Sequence, residues 1–369
     1  MYNIDTLLKL MIESKANDLF ISLGSYPVLM IDGEYYPVKE AKIDNDALAE
    51  FRKSLLDFEN ERIFSKEKEL DFAYSLAGVG RFRVNYFIQR GSDALVVHHI
   101  PTDILLPSEL GLPSILSDIA LEDRGLILVV GSAGSGKSTT LASMIDHRNS
   151  NKSGHILTLE DPIEFLHQHK KSIVNQREIG QDSKSFQKAL KSALRENPSA
   201  LLMGEIRDME TIGTAVNFAE TGHLVLSTMH ATNTQLAVER IFNIYGPELQ
   251  SSARNQLSEN ILAIVAQRLI PSKTNKIIPV HEILLPSSRV KDLIKKGEIH
   301  LLPRALEFSR VEGMQTFDQG LLKLFKEDKI TAETAINYSD HKTDITLKIK
   351  AEGWDKKDFT IELDREEIR

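Results

Sequence analysis

Hydrophobic spacing along the chain changes rhythm several times. Ile4, Leu7, Leu8, Met11 and Ile12 recur at the interval of an amphipathic helix over residues 4–13. Short apolar runs follow. Leu19 to Leu23 and Val28 to Ile31 flank Gly24-Ser25-Tyr26-Pro27, and Asp32-Gly33 signals a hairpin before Tyr35-Tyr36-Pro37-Val38. Residues 44–66 are charged and helical in spacing. Leu70–Leu76, Arg81–Gln89 and Ala94–Ile100 then read as three strands joined by glycine-bearing turns. These elements predict an N-terminal α+β module over residues 1–100. Pro101, Pro107 and Pro113 punctuate the next stretch and predict a linker over 101–120.

From Leu126 onward strands alternate with helices, which predicts an α/β domain over residues 121–340 with a parallel sheet and right-handed crossovers. Leu126-Ile127-Leu128-Val129-Val130 is wholly apolar, as a buried parallel strand is, and Thr139 to Arg148 reads as the following helix. His155–Leu159, Ala200–Met203 and Leu224–Met229 are the next strands. Ser185 is the expected N-cap of a helix through Arg195, stopped by Pro198. Residues 341–369 form an extension in which Ile345-Thr346-Leu347-Lys348-Ile349-Lys350 alternates as a strand does.

Between the first of these strands and its helix lies Gly131-Ser132-Ala133-Gly134-Ser135-Gly136-Lys137-Ser138-Thr139, which satisfies the P-loop pattern G-x-x-x-x-G-K-[ST]. Glycines let the backbone turn its N–H groups inward, where they and the positive end of the helix hold phosphates. Lys137 is expected to reach the β and γ phosphates of ATP, and the Ser138 hydroxyl to ligate Mg²⁺.

Composition narrows the class. At 369 residues the chain exceeds a single core, so two domains are expected. A net charge of −8 argues against a nucleic-acid partner, whose footprint is basic. There are no cysteines, so disulfides, zinc knuckles and thiol chemistry are excluded, as suits a reducing cytoplasm. The sequence shows no basic-then-apolar N-terminal segment and no run of about 18 apolar residues, so direct membrane insertion is not expected.

Ligands of open α/β sheets sit at the carboxyl ends of strands, and acidic and histidine residues cluster at such ends. Glu205 ends an apolar strand beyond the P-loop, where a Walker B acid orients Mg²⁺; glutamate in place of the usual aspartate favours contact through water. Glu160, Asp161 and Glu164 form an acidic group, any of which can position the attacking water. His223 and His230 flank their strand and are candidates for sensing a phosphate.

Several motifs, in order, carry a resemblance. They are the P-loop, Ile156 to Phe165, Val174-Asn175-Gln176-Arg177-Glu178, Ala193 to Pro198, Gly204-Glu205-Ile206-Arg207-Asp208 and Ala219 to Leu224, with Arg81-Phe82-Arg83-Val84-Asn85 before them and Gly313 to Asp318 after. Over residues 1 to about 340 the chain resembles the type IV pilus retraction ATPases of the secretion ATPase superfamily. The resemblance implies RecA-like motor domains, each with an N-terminal PAS-like module, assembled as a homo-hexamer. It implies that Lys137 and Ser138 hold nucleotide and Mg²⁺, that Glu205 is the Walker B acid, and that Glu164, last of the acidic group, is the general base. His223 to His230 corresponds to the family's His box. Arg81 and Arg83 correspond to arginines that the N-terminal module contributes to an ATP site at a subunit interface.

The implied protein is a cytoplasmic Mg²⁺-ATPase motor, peripheral at the inner membrane, that docks on the platform protein of a type IV pilus and drives or assists retraction and twitching motility. Asp18-Leu19-Phe20, the altered Arg289-Val290-Lys291 and Leu293-Ile294-Lys295-Lys296, and the extension resemble the accessory branch of the family, whose partner is a paralogous retraction ATPase. Alternatives are a nucleotide-binding accessory subunit with low turnover, and a pilus extension or type II secretion ATPase. The latter usually carry a longer N-terminal region and a four-cysteine zinc insert. A nucleic-acid translocase is disfavoured by the acidic balance.

Overall fold

A computed structural model describes residues 3–351. By internal contacts the chain divides into two compact units, each with its own sheet. The first comprises residues up to Ile104 with Pro162–Gln168 and Glu178–Lys184. The second comprises Leu105–Asp161, His169–Arg177 and the chain from Ser185 onward.

In the first unit, strands β1 (Asp18–Ser22), β2 (Val28–Ile31), β3 (Glu34–Pro37), β4 (Glu69–Leu76), β5 (Gly80–Gln89) and β6 (Ser92–Ile100) form a six-stranded sheet in the order β3-β2-β1-β6-β5-β4. All its pairings are antiparallel. Helices α1 (Ile4–Glu13), α2 (Asn45–Leu55) and α3 (Phe58–Glu67) supply the rest of the core. Leu7, Leu8 and Met11 of α1 and Phe51 of α2 are buried with Leu19, Ile21, Phe82, Val84 and Val97 of the strands. Alternation along β5 buries Phe82 and Val84 and turns Arg81 and Arg83 to the opposite face. The helical stretch expected over 44–66 is two helices, because Asp57 starts a new one by accepting from the Asn60 N–H at 2.8 Å.

In the second unit, β7 (Gly125–Val130), β8 (Gly154–Glu160), β9 (Ser172–Glu178), β10 (Ala200–Glu205), β11 (Leu224–Met229), β12 (Ile261–Pro271) and β13 (Ile277–Leu284) are ordered β13-β12-β7-β11-β10-β8-β9. The strands from β12 to β8 run parallel, and β13 returns antiparallel to β12. Helix α4 (Ser114–Ala120) precedes β7, and the connections between the strands carry α5 (Lys137–Asn151), α6 (Phe186–Ala193), α7 (Met209–Glu220) and α8 (Thr234–Asn260). Gly246, at φ 70°, and Pro247 interrupt α8. Beyond β13 come α9 (Ser288–Lys296), α10 (Leu302–Glu307), α11 (Phe317–Lys326), α12 (Ala332–Asn337) and α13 (Lys342–Ala351). Burial on both faces explains why β7 reads as an unbroken apolar run, and β11 is buried along its whole length as well, with Ser227 and Thr228 inside it.

Two expectations are corrected. The stretch 101–120 is only partly a connector: α4 buries Leu116, Ile119 and Ala120 in the core of the second unit. Residues 345–350 form no strand, since α13 covers them with Ile345 and Ile349 buried and Leu347 60% exposed. A spacing of two and a spacing of four both contain the pair Ile345/Ile349, and burial of that pair alone selects the helix. The rest of the expected extension, residues 352–369, lies outside the described residues.

Candidate nucleotide site

Val130 ends β7, and the P-loop runs from there into the first turn of α5 at Lys137. Gly134 and Gly136 take φ values of 73° and 81°, a region only glycine enters without strain. Gly131 is needed for another reason. A Cβ there would lie 2.3 Å from Ser135 Oγ and 2.7 Å from the Gln267 carbonyl oxygen. Lys137 Nζ donates to the carbonyls of Gly131, at 3.1 Å, and Ser132, at 2.7 Å. Ser132, Ala133 and Gly134 are exposed, Ser138 and Thr139 half-buried. Ser135 is buried, and its Oγ has no hydrogen-bond partner among the described residues. Gly136 caps α5 without a side-chain bond, so the N–H groups of the first turn and the helix dipole face one loop. That arrangement is an anion cradle.

The carboxyl edge of the sheet supplies the acids. Val129 of β7 pairs with Thr228 of β11, which pairs with Glu205 of β10, so Glu205 stands in the same row two strands away from the P-loop strand. At a strand spacing of about 4.8 Å this is roughly 10 Å across the sheet. Glu205 Oε2 accepts from Arg207 Nε at 2.7 Å and forms an ion pair with the other end of the guanidinium; Oε1 lies 3.4 Å from His230 Nε2. Glu160 ends β8 and accepts from Thr158 Oγ1 at 2.6 Å and Gln176 Nε2 at 3.3 Å. Hard oxygen donors such as Ser138 Oγ and the Glu205 carboxylate fit Mg²⁺. No cluster of three or more His, Cys, Asp or Glu able to hold a metal exists among the described residues, so a cation here would draw its remaining ligands from phosphate and water.

The two histidines separate. His230 follows the carboxyl end of β11 and meets Glu205, but His223 precedes its amino end, beside Gly125, whose N–H donates to the His223 carbonyl at 3.1 Å. Its ring packs edge-on against Phe218 with Nδ1 3.1 Å from the Phe218 carbonyl. The expectation that both histidines belong at the nucleotide edge is therefore corrected for His223, because a strand has direction and only its carboxyl end faces the P-loop.

Arg81, Arg83 and Glu164 belong to the first unit. Arg81 forms an ion pair with Glu178 at 3.3 Å, whereas Arg83 is exposed. Glu164 is exposed beside buried Ile163, in a segment whose Leu166 N–H donates to the Pro101 carbonyl at 3.0 Å.

Residues 112–301 match the family described as Type II/IV secretion system protein. The chain belongs to that family. It is 43% identical over 94% of its length, and 91% of the relative's, to the Type IV pilus ATPase PilU of Pseudomonas aeruginosa. To the Type IV pilus retractation ATPase PilT of the same organism it is 37% identical over 90% of its length and 97% of the relative's. The crystal structure of the pilus retraction motor PilT with bound ADP superposes with a TM-score of 0.86 at 38% identity, covering 94% of this chain and all of that one. The chain is thus an ATP hydrolase of the retraction ATPase type, with the fold of the secretion ATPases and a β-rich N-terminal domain, and is more similar to that PilU than to that PilT.

Sequence reasoning missed residues behind the loop of this ATPase. Gln267 on β12, Thr140 on α5 and His281 on β13 are buried, with Thr140 and His281 both hydrogen-bonded to Gln267, and Gln267 also bonds the P-loop. Burial lowers the His281 pKa to about 4, so the ring is neutral at pH 7. Their sequence signal was a polar residue inside the apolar run Ile264-Val265-Ala266-Gln267, a place where a side chain needs a partner.

Proposed function

We propose that the chain is a Mg²⁺-dependent ATPase motor of a type IV pilus machine that works as a homo-hexamer to drive or assist pilus retraction. The observation that carries this reading is the P-loop cradle at the carboxyl edge of the parallel sheet, with Glu205 in register two strands away, in a chain similar to PilU over 94% of its length. In this account the first-turn N–H groups of α5 and Lys137 bind the β and γ phosphates. Ser138 and Glu205 would hold Mg²⁺, which would supply charge neutralisation on the phosphate oxygens. His230 and Arg207 fix the Glu205 carboxylate. Glu164 orients the attacking water and takes its proton.

Arg83, exposed on β5, and Arg81, once released from Glu178, would reach the γ-phosphate of a neighbouring subunit. Such an arginine is worth about 10³ to 10⁵ in rate, which ties hydrolysis to subunit geometry. Greater identity to PilU than to PilT favours work alongside a paralogous motor at the pilus platform in the inner membrane. No described helix is long and apolar enough to cross a membrane, which fits attachment through that machine.

The test compares Lys137→Ala with Glu164→Gln by nucleotide binding and turnover. Lys137→Ala should lose binding, and Glu164→Gln should bind ATP with near-native affinity and hydrolyse it at least 10²-fold more slowly. Equal loss of binding in both would remove Glu164 as the base.

A further inference from the structure

Gln267 Nε2 donates to the Ser135 carbonyl at 2.7 Å. Its Oε1 accepts from Thr140 Oγ1 at 2.7 Å and lies 3.1 Å from His281 Nε2. His281 is neutral and buried, so the nitrogen facing Oε1 carries the proton and donates. Both halves of the Gln267 amide are therefore assigned: oxygen toward Thr140 and His281, nitrogen toward the P-loop. His281 is itself braced, because Gln315 Nε2 donates to its carbonyl at 2.9 Å.

The consequence lies in the peptide group between Ser135 and Gly136. That group is planar and trans, so its C=O and N–H point in opposite directions. Drawing the Ser135 carbonyl back onto Gln267 turns the Gly136 N–H the other way, toward the concave side of the loop. Close approach is part of the arrangement: a Cβ on Gly136 would lie 2.9 Å from Gln267 Nε2.

We propose that Gln267 is a positioning residue of the nucleotide site, which aims the Gly136 N–H at a phosphate by holding the Ser135 carbonyl from behind, with Thr140 and His281 fixing the orientation of its amide. This rests on the reading of the P-loop as the nucleotide site. Gln267 touches no phosphate itself; it acts through the loop backbone. The same bond is available to ADP and ATP, so the contribution is to binding in ground and transition states alike.

The experiment uses the full chain and fluorescent N-methylanthraniloyl-ADP. Gln267→Met keeps the length and loses every hydrogen bond; Gln267→Glu keeps the acceptor and loses the donor; Thr140→Val removes one anchor of the amide. Both Gln267 variants should raise the Kd about tenfold, the loss of one hydrogen bond to a charged group, and raise the KM for ATP in parallel with kcat within about twofold. Thr140→Val should raise Kd about threefold, and adding it to Gln267→Met should raise it no further, since both act through one amide.

Native Kd in the Gln267 variants, or a lowered Tm with unchanged Kd, overturns the proposal and leaves Gln267 a core residue. If Gln267→Met does not fold, Thr140→Val decides, and a native Kd there counts against the proposal. Should Lys137→Ala bind the probe as well as wild type does, the P-loop reading itself fails and the proposal with it. That result is distinct, because it appears in a variant that leaves Gln267 untouched.

Discussion

His281 is a buried neutral imidazole, and its burial makes the stability of the second unit depend on pH in a calculable way. Desolvation lowers its pKa in the folded protein from 6.5 to about 4. Below pH 6.5 the unfolded chain takes up a proton that the native ring refuses, so stability is whole above that value and drains away as pH falls toward 4. At pH 4.5 the unfolded imidazole is about 99% protonated and the native one about a quarter, which amounts to a loss of about 2–3 kcal/mol from this one group. The perturbation is His281→Gln, which keeps a donor near Gln267 and cannot titrate. Urea unfolding followed by far-ultraviolet circular dichroism at pH 7.5 and 4.5 gives four free energies. Other titrating groups are common to both proteins and cancel. The wild type should lose about 2–3 kcal/mol more than the variant between the two pH values. Equal losses would mean that His281 is solvated or charged in the native protein, and the buried neutral imidazole argued for here would be refuted.

Other predictions address separate elements. Gly131→Ala should abolish nucleotide binding with little effect on Tm, measured by probe titration and thermal melting, since its Cβ would overlap Ser135 Oγ and the Gln267 carbonyl and only the loop can yield. Ile349, fully buried on α13, should cost about 2–5 kcal/mol on replacement by alanine, whereas Leu347→Ala should stay within about 0.5 kcal/mol in the same urea assay; a strand would make both costly. His341 has its pKa raised, chiefly by its hydrogen bond to Asp318. Its contribution is fully present below the unfolded value and lost as pH rises through the folded one. His341→Ala should therefore melt lower than wild type at pH 5.5 and level with it at pH 9, a small difference because the side chain is 71% exposed.

Much of this was legible along the chain, for definable reasons. The P-loop announces itself because phosphate binding by backbone demands glycines at fixed spacing, and β7 and the opening residues of β10 and β11 announce themselves because parallel strands buried on both faces are largely apolar. Glu205 and Glu160 do end their strands β10 and β8, a position that the preceding apolar runs make legible. His223 was misplaced because apolar run and flanking histidine look alike from either end; direction enters only when Leu224 pairs with Gly125 and Met229 with Val130. Gln267 and His281 escaped notice because their meaning is tertiary. They lie 132 residues or more beyond the carbonyl they support, on a hairpin whose pairing of Gln267 with His281 no local pattern reveals. The strand expected over 345–350 failed because the alternation Ile345, Leu347, Ile349 also contains a helical pair.

The central claim is that this chain is a ring motor whose ATP sites need neighbouring subunits. It is tested most directly by steady-state ATP hydrolysis across a protein concentration series, with the mass of the assembly determined at each point and the Arg83→Ala variant alongside. The account predicts Mg²⁺-dependent turnover that rises as hexamers assemble and falls at least 10²-fold in a fully assembled Arg83→Ala ring. Equal turnover per subunit in monomers and hexamers, unchanged by Arg83→Ala, would contradict it.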